Sequence, residues 1–215
     1  IDISSTALNV KIAGDFTNIV NGTLPSGFNS IKNKFAVIPN HRMINKTDTD
    51  VSSQYISFLI QITKYAQNYG MKPFLLIHEG ANDLKIAQII KEAVGNSIEI
   101  VIEDDPLKIK GILGTVDGVF SSRFHGLVSA LSQGKIALGT GWSHKYKCLF
   151  EDYQFPEGMF DVSMQEDELI QKMNSIFHLK NLADATNRIS INAKRLKLET
   201  NKMWTDVFSS IEADK

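Results

Sequence analysis

Short apolar runs alternate with stretches of helical periodicity in this sequence, and this alternation constrains the fold more than any other feature. Five runs of four or five residues predict strands at 35–39, 74–77, 98–102, 116–120 and 135–138. The runs are separated by polar turns and by apolar residues at helical spacing. Because this alternation builds βαβ units, we predict an α/β fold: an open, mainly parallel, Rossmann-like sheet with helices on both faces.

The pattern changes at both ends of the chain. Residues 1–34 are broken up by glycine and proline, which predicts a linker or the remnant of a missing N-terminal domain. Residues 35–160 form the predicted Rossmann-like domain. Residues 161–215 carry two helical patterns, at about 166–178 and 182–211, that we expect to pack on the same domain. The second pattern contains an apolar stripe that predicts a packing face: Trp204, Val207, Phe208 and Ile211.

Composition and charge exclude several classes of protein. At 43% apolar and 22% charged residues, the chain matches ordinary globular proteins rather than disordered ones. A net charge of −1 argues against a nucleic-acid surface. The longest apolar stretches are four or five residues, far short of the ~20 that span a membrane. The single cysteine, Cys148, forms no intrachain disulfide, so we expect a reducing cytoplasm, and its helical context predicts a small core residue.

Polar and charged side chains follow each predicted strand. The carboxyl ends of parallel strands meet at one edge of an open sheet, and ligands bind there, where the strand order reverses. Four of the five histidines fall at this edge, whereas His178 lies near a helix end and is expected on the surface. The candidate binding residues, in strand order, are Asn40, His41 and Arg42, then His78 and Glu79, then Ser121, Ser122, Arg123 and His125, then Ser143, His144 and Lys145.

The segment after the fourth strand, SSRFHGLVSALSQG (121–134), predicts an anion site. Ser121 or Ser122 is placed to cap the following helix, whose first N–H groups and dipole attract phosphate or carboxylate. Arg123 adds a bidentate fork and His125 titrates near neutral pH, so the pair suits an anionic substrate that undergoes proton transfer. Alternatively, Arg123 pairs with a local carboxylate and His125 fills a half-buried helix face.

The loop after the fifth strand offers a second anion site of the same kind. Gly139 and Gly141 permit close approach of the backbone, Ser143 can cap a helix, and Lys145 supplies a positive charge. The alternative is an ordinary connection that carries incidental basic residues.

An acidic run, Glu103-Asp104-Asp105, follows the third strand. Consecutive acidic side chains cannot all point toward one ion, and Asp105 before Pro106 is expected to cap a helix. We therefore predict no metal site.

Several of these segments resemble those of one family, the polysaccharide pyruvyl transferases. The resemblance is carried by SSRFHGLVSALSQG and by GTGWSHKYKCLFEDY (139–153), with PNHRM (39–43) and HEGANDL (78–84) as further similar segments. It covers roughly residues 35–155, and the combination is far more specific than any single motif. The family's Arg-x-His motif falls on Arg123 and His125.

The resemblance implies a fold and a chemistry. The fold would be that of two-domain, GT-B type glycosyltransferases, with this chain as the C-terminal half. The family transfers the pyruvyl group of phosphoenolpyruvate to a sugar hydroxyl of a polysaccharide or its lipid-linked precursor, forming a ketal. Arg123 and Lys145 would hold the anionic donor, and His125, or else His144, would act as general acid or base.

The same resemblance implies partners and a location. The chemistry requires no cofactor and no metal beyond phosphoenolpyruvate as donor, and the acceptor would be a sugar or a lipid-linked oligosaccharide. Nucleic acid and a transmembrane segment are not expected. The implied location is the cytoplasm, at the inner face of the membrane where the acceptor is lipid-linked, which allows peripheral membrane association. Because a GT-B cleft lies between two domains, the isolated half is expected to lack the acceptor-side wall and therefore activity.

Two other functions stay open at the level of the sequence. A nucleotide-sugar-dependent GT-B glycosyltransferase uses the same fold and would bind ribose through a carboxylate, for which Glu79 or Glu151 is the candidate. A non-catalytic module of the same fold is the other alternative, because fold alone does not determine function.

Overall fold

A computed structural model describes residues 13–28 and 34–213 of the chain. The strands are β1 (Lys34–Ile38), β2 (Lys72–Ile77), β3 (Glu99–Ile102), β4 (Gly118–Ser121) and β5 (Ala137–Gly139). The helices are α1 (Arg42–Asn45), α2 (Thr49–Asn68), α3 (Gly80–Val94), α4 (Pro106–Leu113), α5 (Phe124–Leu131), α6 (His144–Asp152), α7 (Glu166–Phe177) and α8 (Leu179–Ala213). Two short 3-10 helices span Phe16–Ile19 and Pro156–Gly158.

The five strands form one sheet in the order β3-β2-β1-β4-β5, and every neighbouring pair is parallel. The chain builds outward from β1 in one direction and then returns to its other side, so β1 and β4 are neighbours at the point where the order reverses. Their last residues, Ile38 and Ser121, are partners in the register. The predicted open parallel α/β sheet with C-terminal helices is confirmed, and a crevice is expected between these two strand ends.

The core explains why the strand runs are almost entirely apolar. Successive side chains of a strand point to opposite faces of the sheet, yet Phe35, Ala36, Val37 and Ile38 of β1 are all 0% exposed. Both faces of the central strand are therefore covered by helices, as parallel sheets require. On these faces α2 contacts α3, and α4 contacts α5.

The two C-terminal helices are confirmed with small changes of bounds. Helix α7 begins at a capping box formed by Gln165 and Glu168, and α8 begins at Leu179, three residues before its predicted start. The prediction of a packing face on α8 is wrong for most of its stripe. Val207, Phe208 and Ile211 are 38%, 57% and 51% exposed.

Cys148 also departs from prediction. It lies on α6 as expected, but its side chain is exposed rather than part of the core. The helix buries Tyr146, Leu149 and Phe150 instead, so the face that carries Cys148 points away from the sheet.

Residues 13–28, part of the predicted linker, lie against the Rossmann-like domain. The 3-10 helix at Phe16–Ile19 contacts α5 and α8. Lys110 Nζ donates to the backbone oxygen of Thr17 at 2.7 Å, and Tyr153 OH donates to Asn18 Oδ1 at 2.9 Å. Residues 1–12 and 29–33 of the same predicted segment lie outside the described residues. The division of the chain at residues 34 and 160 stays a prediction.

Candidate active site

A buried hydrogen-bond network joins the ends of β1 and β4. The backbone N–H of Asn40 donates to Tyr55 OH at 2.9 Å, and Asn40 Nδ2 donates to the backbone oxygen of Ser122 at 2.9 Å. Tyr146 OH donates to the same Ser122 oxygen at 3.0 Å. Burial raises the pKa of both phenols, so both stay protonated at neutral pH. Asn40 thus fixes the floor of the crevice with its amide already hydrogen bonded.

The turn into α5 differs from the predicted one. The N-cap residue is Arg123, without a side-chain cap bond, so the prediction that Ser121 or Ser122 caps the helix is wrong. The Ser121 hydroxyl instead accepts from Arg123 N at 3.0 Å and donates to Arg123 O at 2.9 Å. Gly126 allows α5 to lie this close, since a Cβ at that position would meet Ser121 Oγ at 2.6 Å. Ser121 therefore shapes the turn that presents Arg123.

Arg123 is held by two carboxylates of α3 and its N-terminal turn. Its Nη2 and Nε lie 2.5 Å and 3.0 Å from Asp83 Oδ2, and its Nη1 contacts Glu79. The Asp83 side chain is 2% exposed, whereas that of Glu79 is 66% exposed. The other Asp83 oxygen accepts from the backbone N–H of His41 at 2.8 Å. Arg123 thus pairs with a fixed partner and an exposed one, as the alternative interpretation of this residue allowed.

Burial governs the charges around Arg123. It raises the pKa of Asp83 to about 6, against the opposite effects of the His41 N–H and the Arg42 charge. It lowers the pKa of Arg123, although a guanidinium stays charged at neutral pH. It also lowers the pKa of His78 to about 4, and the electrostatic effects of nearby Arg123 and His125 act in the same direction. His78 is therefore neutral at pH 7.

A cavity of about 140 Å³ opens beside Arg123. Lys145 reaches over its aromatic wall, with Nζ 4.5 Å from the centre of the Phe124 ring. His78 also lines this cavity, and its Nε2 atom is buried without a hydrogen-bond partner among the residues that the structure describes. Six predicted site residues line the cavity, namely Asn40, His78, Glu79, Arg123, His125 and Lys145, together with Phe124, Trp142 and Tyr146.

A second cavity of about 360 Å³ shares Glu79 and Arg123 with the first. It contains the predicted residues His41 and Arg42 and extends to Asp83. Arg123 therefore lines both cavities.

His125 stands at the rim of the smaller cavity. Its side chain is 69% exposed, so the alternative that it fills a half-buried helix face is wrong. Its Nε2 lies 3.7 Å from Asp15 Oδ2. The other Asp15 oxygen accepts from the N–H and the hydroxyl of Thr17 at 2.9 Å and 2.5 Å. A carboxylate from the N-terminal segment is therefore fixed beside the imidazole.

The β5–α6 loop is partly as predicted. Ser143 is the N-cap residue of α6, but its hydroxyl makes no cap bond and is buried without a partner among the described residues. His144 is exposed and lines neither cavity. The glycines serve internal packing rather than ligand approach, because a Cβ at Gly139 would meet the backbone oxygen of Ser121 at 2.5 Å and one at Gly141 would meet the Tyr146 ring.

Five residues of the site were not identified from the sequence: Asp15, Asp83, Phe124, Trp142 and Tyr146. Asp83 carried a usable signal, since it follows Glu79 by four residues in the first turn of a helix that leaves a strand end. Asp15 carried none, because its segment shows no periodic pattern.

No cluster of three or more histidine, cysteine or acidic side chains within residues 13–28 and 34–213 could hold a metal ion. Asp105 caps α4, as predicted, and accepts from Leu107 N at 2.8 Å. Within the same ranges, no helix combines the length and apolar character needed to cross a bilayer.

Comparison with known proteins places the chain in a family. No curated protein matches the chain. One similar solved structure is described as a crystal structure of the glycotransferase of kitacinnamycin, with 11% identity and a TM-score of 0.49. The match covers 87% of this chain and 44% of that one, so the chain spans less than half the length of that protein. The family model for polysaccharide pyruvyl transferase matches residues 2–144. Because this match covers more than half of the sequence, the chain belongs to the polysaccharide pyruvyl transferase family, a family of transferases.

Proposed function

We propose that this chain provides the phosphoenolpyruvate site of a transferase that moves a pyruvyl group onto two hydroxyls of a sugar, forming a ketal. The proposal includes a polysaccharide or lipid-linked precursor as acceptor, action in the cytoplasm or at the inner face of the membrane, and this chain as the C-terminal half of a GT-B type fold.

The observation that carries the proposal is the cavity beside Arg123. Arg123, Lys145 and His125 converge on a volume of about 140 Å³. Sites for drug-sized ligands usually enclose about 300–1,000 Å³. A small cavity with two permanent positive charges suits a compact anion that carries both phosphate and carboxylate better than it suits a nucleotide sugar.

Anion binding at Arg123 would depend on the difference in burial between its two carboxylate partners. Asp83 is buried and fixed by His41, so it keeps the guanidinium in place. Glu79 is exposed, and the ligand's own carboxylate or phosphate would replace it. Lys145 contributes a second positive charge, and neutral His78 lines the same cavity without adding a charge.

Proton transfer would fall to His125. Addition of a proton to the methylene carbon of phosphoenolpyruvate makes a methyl group and leaves an electron-poor centre at the adjoining carbon. A sugar hydroxyl attacks that centre and gives up its proton. A second hydroxyl then attacks the same carbon, the bond from that carbon to the phosphate oxygen breaks, and the hydroxyl proton leaves with the phosphate as hydrogen phosphate, so that two C–O bonds are formed to the sugar. His125, beside Asp15, is placed to donate the first proton and accept another.

Binding and turnover test different parts of this proposal. Calorimetry with the chain should show binding of phosphoenolpyruvate. K145A should weaken that binding about 10-fold or more, because a charged hydrogen bond contributes about 1.5–3 kcal/mol. H125N should bind almost normally but release no phosphate in the full-length protein with a sugar acceptor. K202A, on an exposed part of α8, serves as the control.

Each contrary result points elsewhere. Binding of a nucleoside diphosphate without binding of phosphoenolpyruvate would favour the glycosyltransferase. Failure of the full-length protein to bind phosphoenolpyruvate or release phosphate from it would favour a non-catalytic module.

A further inference from the structure

A third cavity, of about 580 Å³, is larger than the two cavities that Arg123 lines. It is formed by the α1–α2 connection, the β5–α6 loop, the segment after the 3-10 helix at Pro156–Gly158, and one side chain of α7. Trp142 lines both this cavity and the small one beside Arg123. A ligand against Trp142 in the large cavity would therefore adjoin the anion site.

The charged groups of this cavity balance each other. Two lysines, Lys46 and Lys172, and two aspartates, Asp48 and Asp161, line it. The small cavity contains Arg123 and Lys145 against Glu79 alone. Balanced donors and acceptors do not select an anion; they suit a neutral ligand that both donates and accepts hydrogen bonds, as hydroxyl groups do.

The two carboxylates are held in place and each keeps an oxygen for a ligand. Asp48 Oδ1 accepts from Val51 N at 2.9 Å, and Asp161 Oδ1 accepts from the N–H and hydroxyl of Ser163 at 2.9 Å and 2.8 Å. The Oδ2 atom of each has no hydrogen-bond partner among the described residues. Carboxylates fixed by local bonds lose little entropy when they accept hydrogen bonds from a ligand.

The walls between these polar groups are apolar and aromatic. Trp142 is half-buried, and Phe160 is covered by Lys172, whose Nζ lies 4.3 Å from the ring centre and donates to Met159 O at 2.5 Å. A sugar ring is polar at its edge but presents C–H groups on its faces. A half-exposed indole with carboxylates around it matches that distribution.

We propose that this cavity binds one pyranose ring of a neutral sugar, and that this ring belongs to the acceptor of the transfer reaction. The inference rests on the proposed function, because only a transfer reaction needs the two cavities to share a wall. The sugar-binding part of it stands on the lining of the cavity alone.

Saturation-transfer NMR tests this with the methyl glycosides of glucose, galactose, mannose and N-acetylglucosamine as probes. At least one glycoside should receive saturation from the chain. D161N and K46A should each reduce the signal about fivefold, equivalent to the net effect of one hydrogen bond. D161N retains Oδ1 for the cap bonds to Ser163, so the loop is preserved. K202A should leave the glycoside signal unchanged, since Lys202 lies on an exposed part of α8 that lines neither cavity.

A second measurement uses the two tryptophans of the chain. Trp204 lies on α8 against Phe16 and Phe208, so W204F leaves Trp142 as the sole indole without touching either cavity. The fluorescence emission of Trp142 should change when the glycoside that gives the NMR signal is added. The proposal is overturned if no glycoside binds, or if binding is unaffected by D161N and K46A. Glycoside binding without phosphoenolpyruvate binding would instead overturn the proposed donor and retain the sugar site.

Discussion

At the scale of single residues, His78 makes the stability of the folded chain depend on pH. Burial lowers its pKa from 6.5 to about 4, so between those values the unfolded chain binds a proton that the folded chain does not. Unfolding is then favoured as the pH falls from 6.5 to 4, and the stability lost is up to about 3 kcal/mol at 1.36 kcal/mol per pH unit. We predict that H78Q lowers the pH dependence of the unfolding free energy in this window, as measured by urea denaturation at pH 7, 5.5 and 4.5.

A matched control exists in His178, the exposed C-cap residue of α7. H178Q removes an exposed histidine rather than a buried one. Its unfolding free energy should therefore change with pH in the same way as that of the parent chain. Equal slopes for H78Q and the parent chain would contradict the prediction.

A sequence pattern can identify some residues of the site but not the residues they pair with. Arg123 and His125 were found because they follow a strand directly, and strand ends share an edge. Their partners could not be found in this way. Asp83 and Asp15 reach them from α3 and from the N-terminal segment, 40 and 110 residues away along the chain. Those pairings depend on how the helices pack, which local periodicity does not encode.

At the scale of elements, one buried side-chain hydrogen bond ties the N-terminal segment to the rest of the fold. Tyr153 OH donates to Asn18 Oδ1, and both residues are buried. Y153F removes the donor and leaves the amide oxygen unsatisfied, which should cost about 1–3 kcal/mol. Hydrogen exchange should accelerate at the 3-10 helix Phe16–Ile19, and the Asp15–His125 contact should be lost with it.

The control for this change is Y69F. Tyr69 OH also donates a single hydrogen bond, to the backbone oxygen of Phe177, but its side chain is 48% exposed and water can replace the bond. We expect a loss of less than about 1 kcal/mol and no change in exchange at the N-terminal segment. Unchanged exchange in Y153F would show that other contacts hold the segment.

Elements were the part of the fold most readily predicted. Each observed strand begins and ends within two residues of its predicted bounds, because buried parallel strands are continuous apolar runs. Helix faces were less readily predicted. Cys148 shares its helix with three buried residues yet faces away from the sheet, since one residue's offset on a helix is about 100° of rotation.

At the scale of the whole molecule, strand order decides which loops share a site. The alternation of strands and helices predicts a parallel sheet, but the order β3-β2-β1-β4-β5 depends on which face each crossover takes. This order puts the ends of β1 and β4 side by side with those of β2 and β5 next to them. The side chains of four loops therefore surround Arg123, whereas the acidic run after β3 lies at the edge of the sheet, outside the cavity that Arg123 and Lys145 line.

Because one ligand contacts loops from four strands, its binding should be visible in the stability of the entire domain. A ligand of the folded state stabilises it by RT ln(1 + [L]/Kd). The Glu79 carboxylate competes with the ligand for Arg123. E79Q removes the charge of this competitor and leaves the ion pair between Arg123 and Asp83 in place. We therefore predict that phosphoenolpyruvate binds E79Q about fivefold more tightly and, at saturating concentration, raises its melting temperature by about 2–4 °C more than that of the parent chain.

Two controls accompany this prediction. Without ligand, E79Q and the parent chain should have the same melting temperature, since the Glu79 side chain is 66% exposed. E151Q, which neutralises another exposed acid on α6, should leave the ligand-induced shift unchanged. A smaller shift in E79Q than in the parent chain would mean that Glu79 helps to hold the ligand, as a ribose-binding carboxylate would.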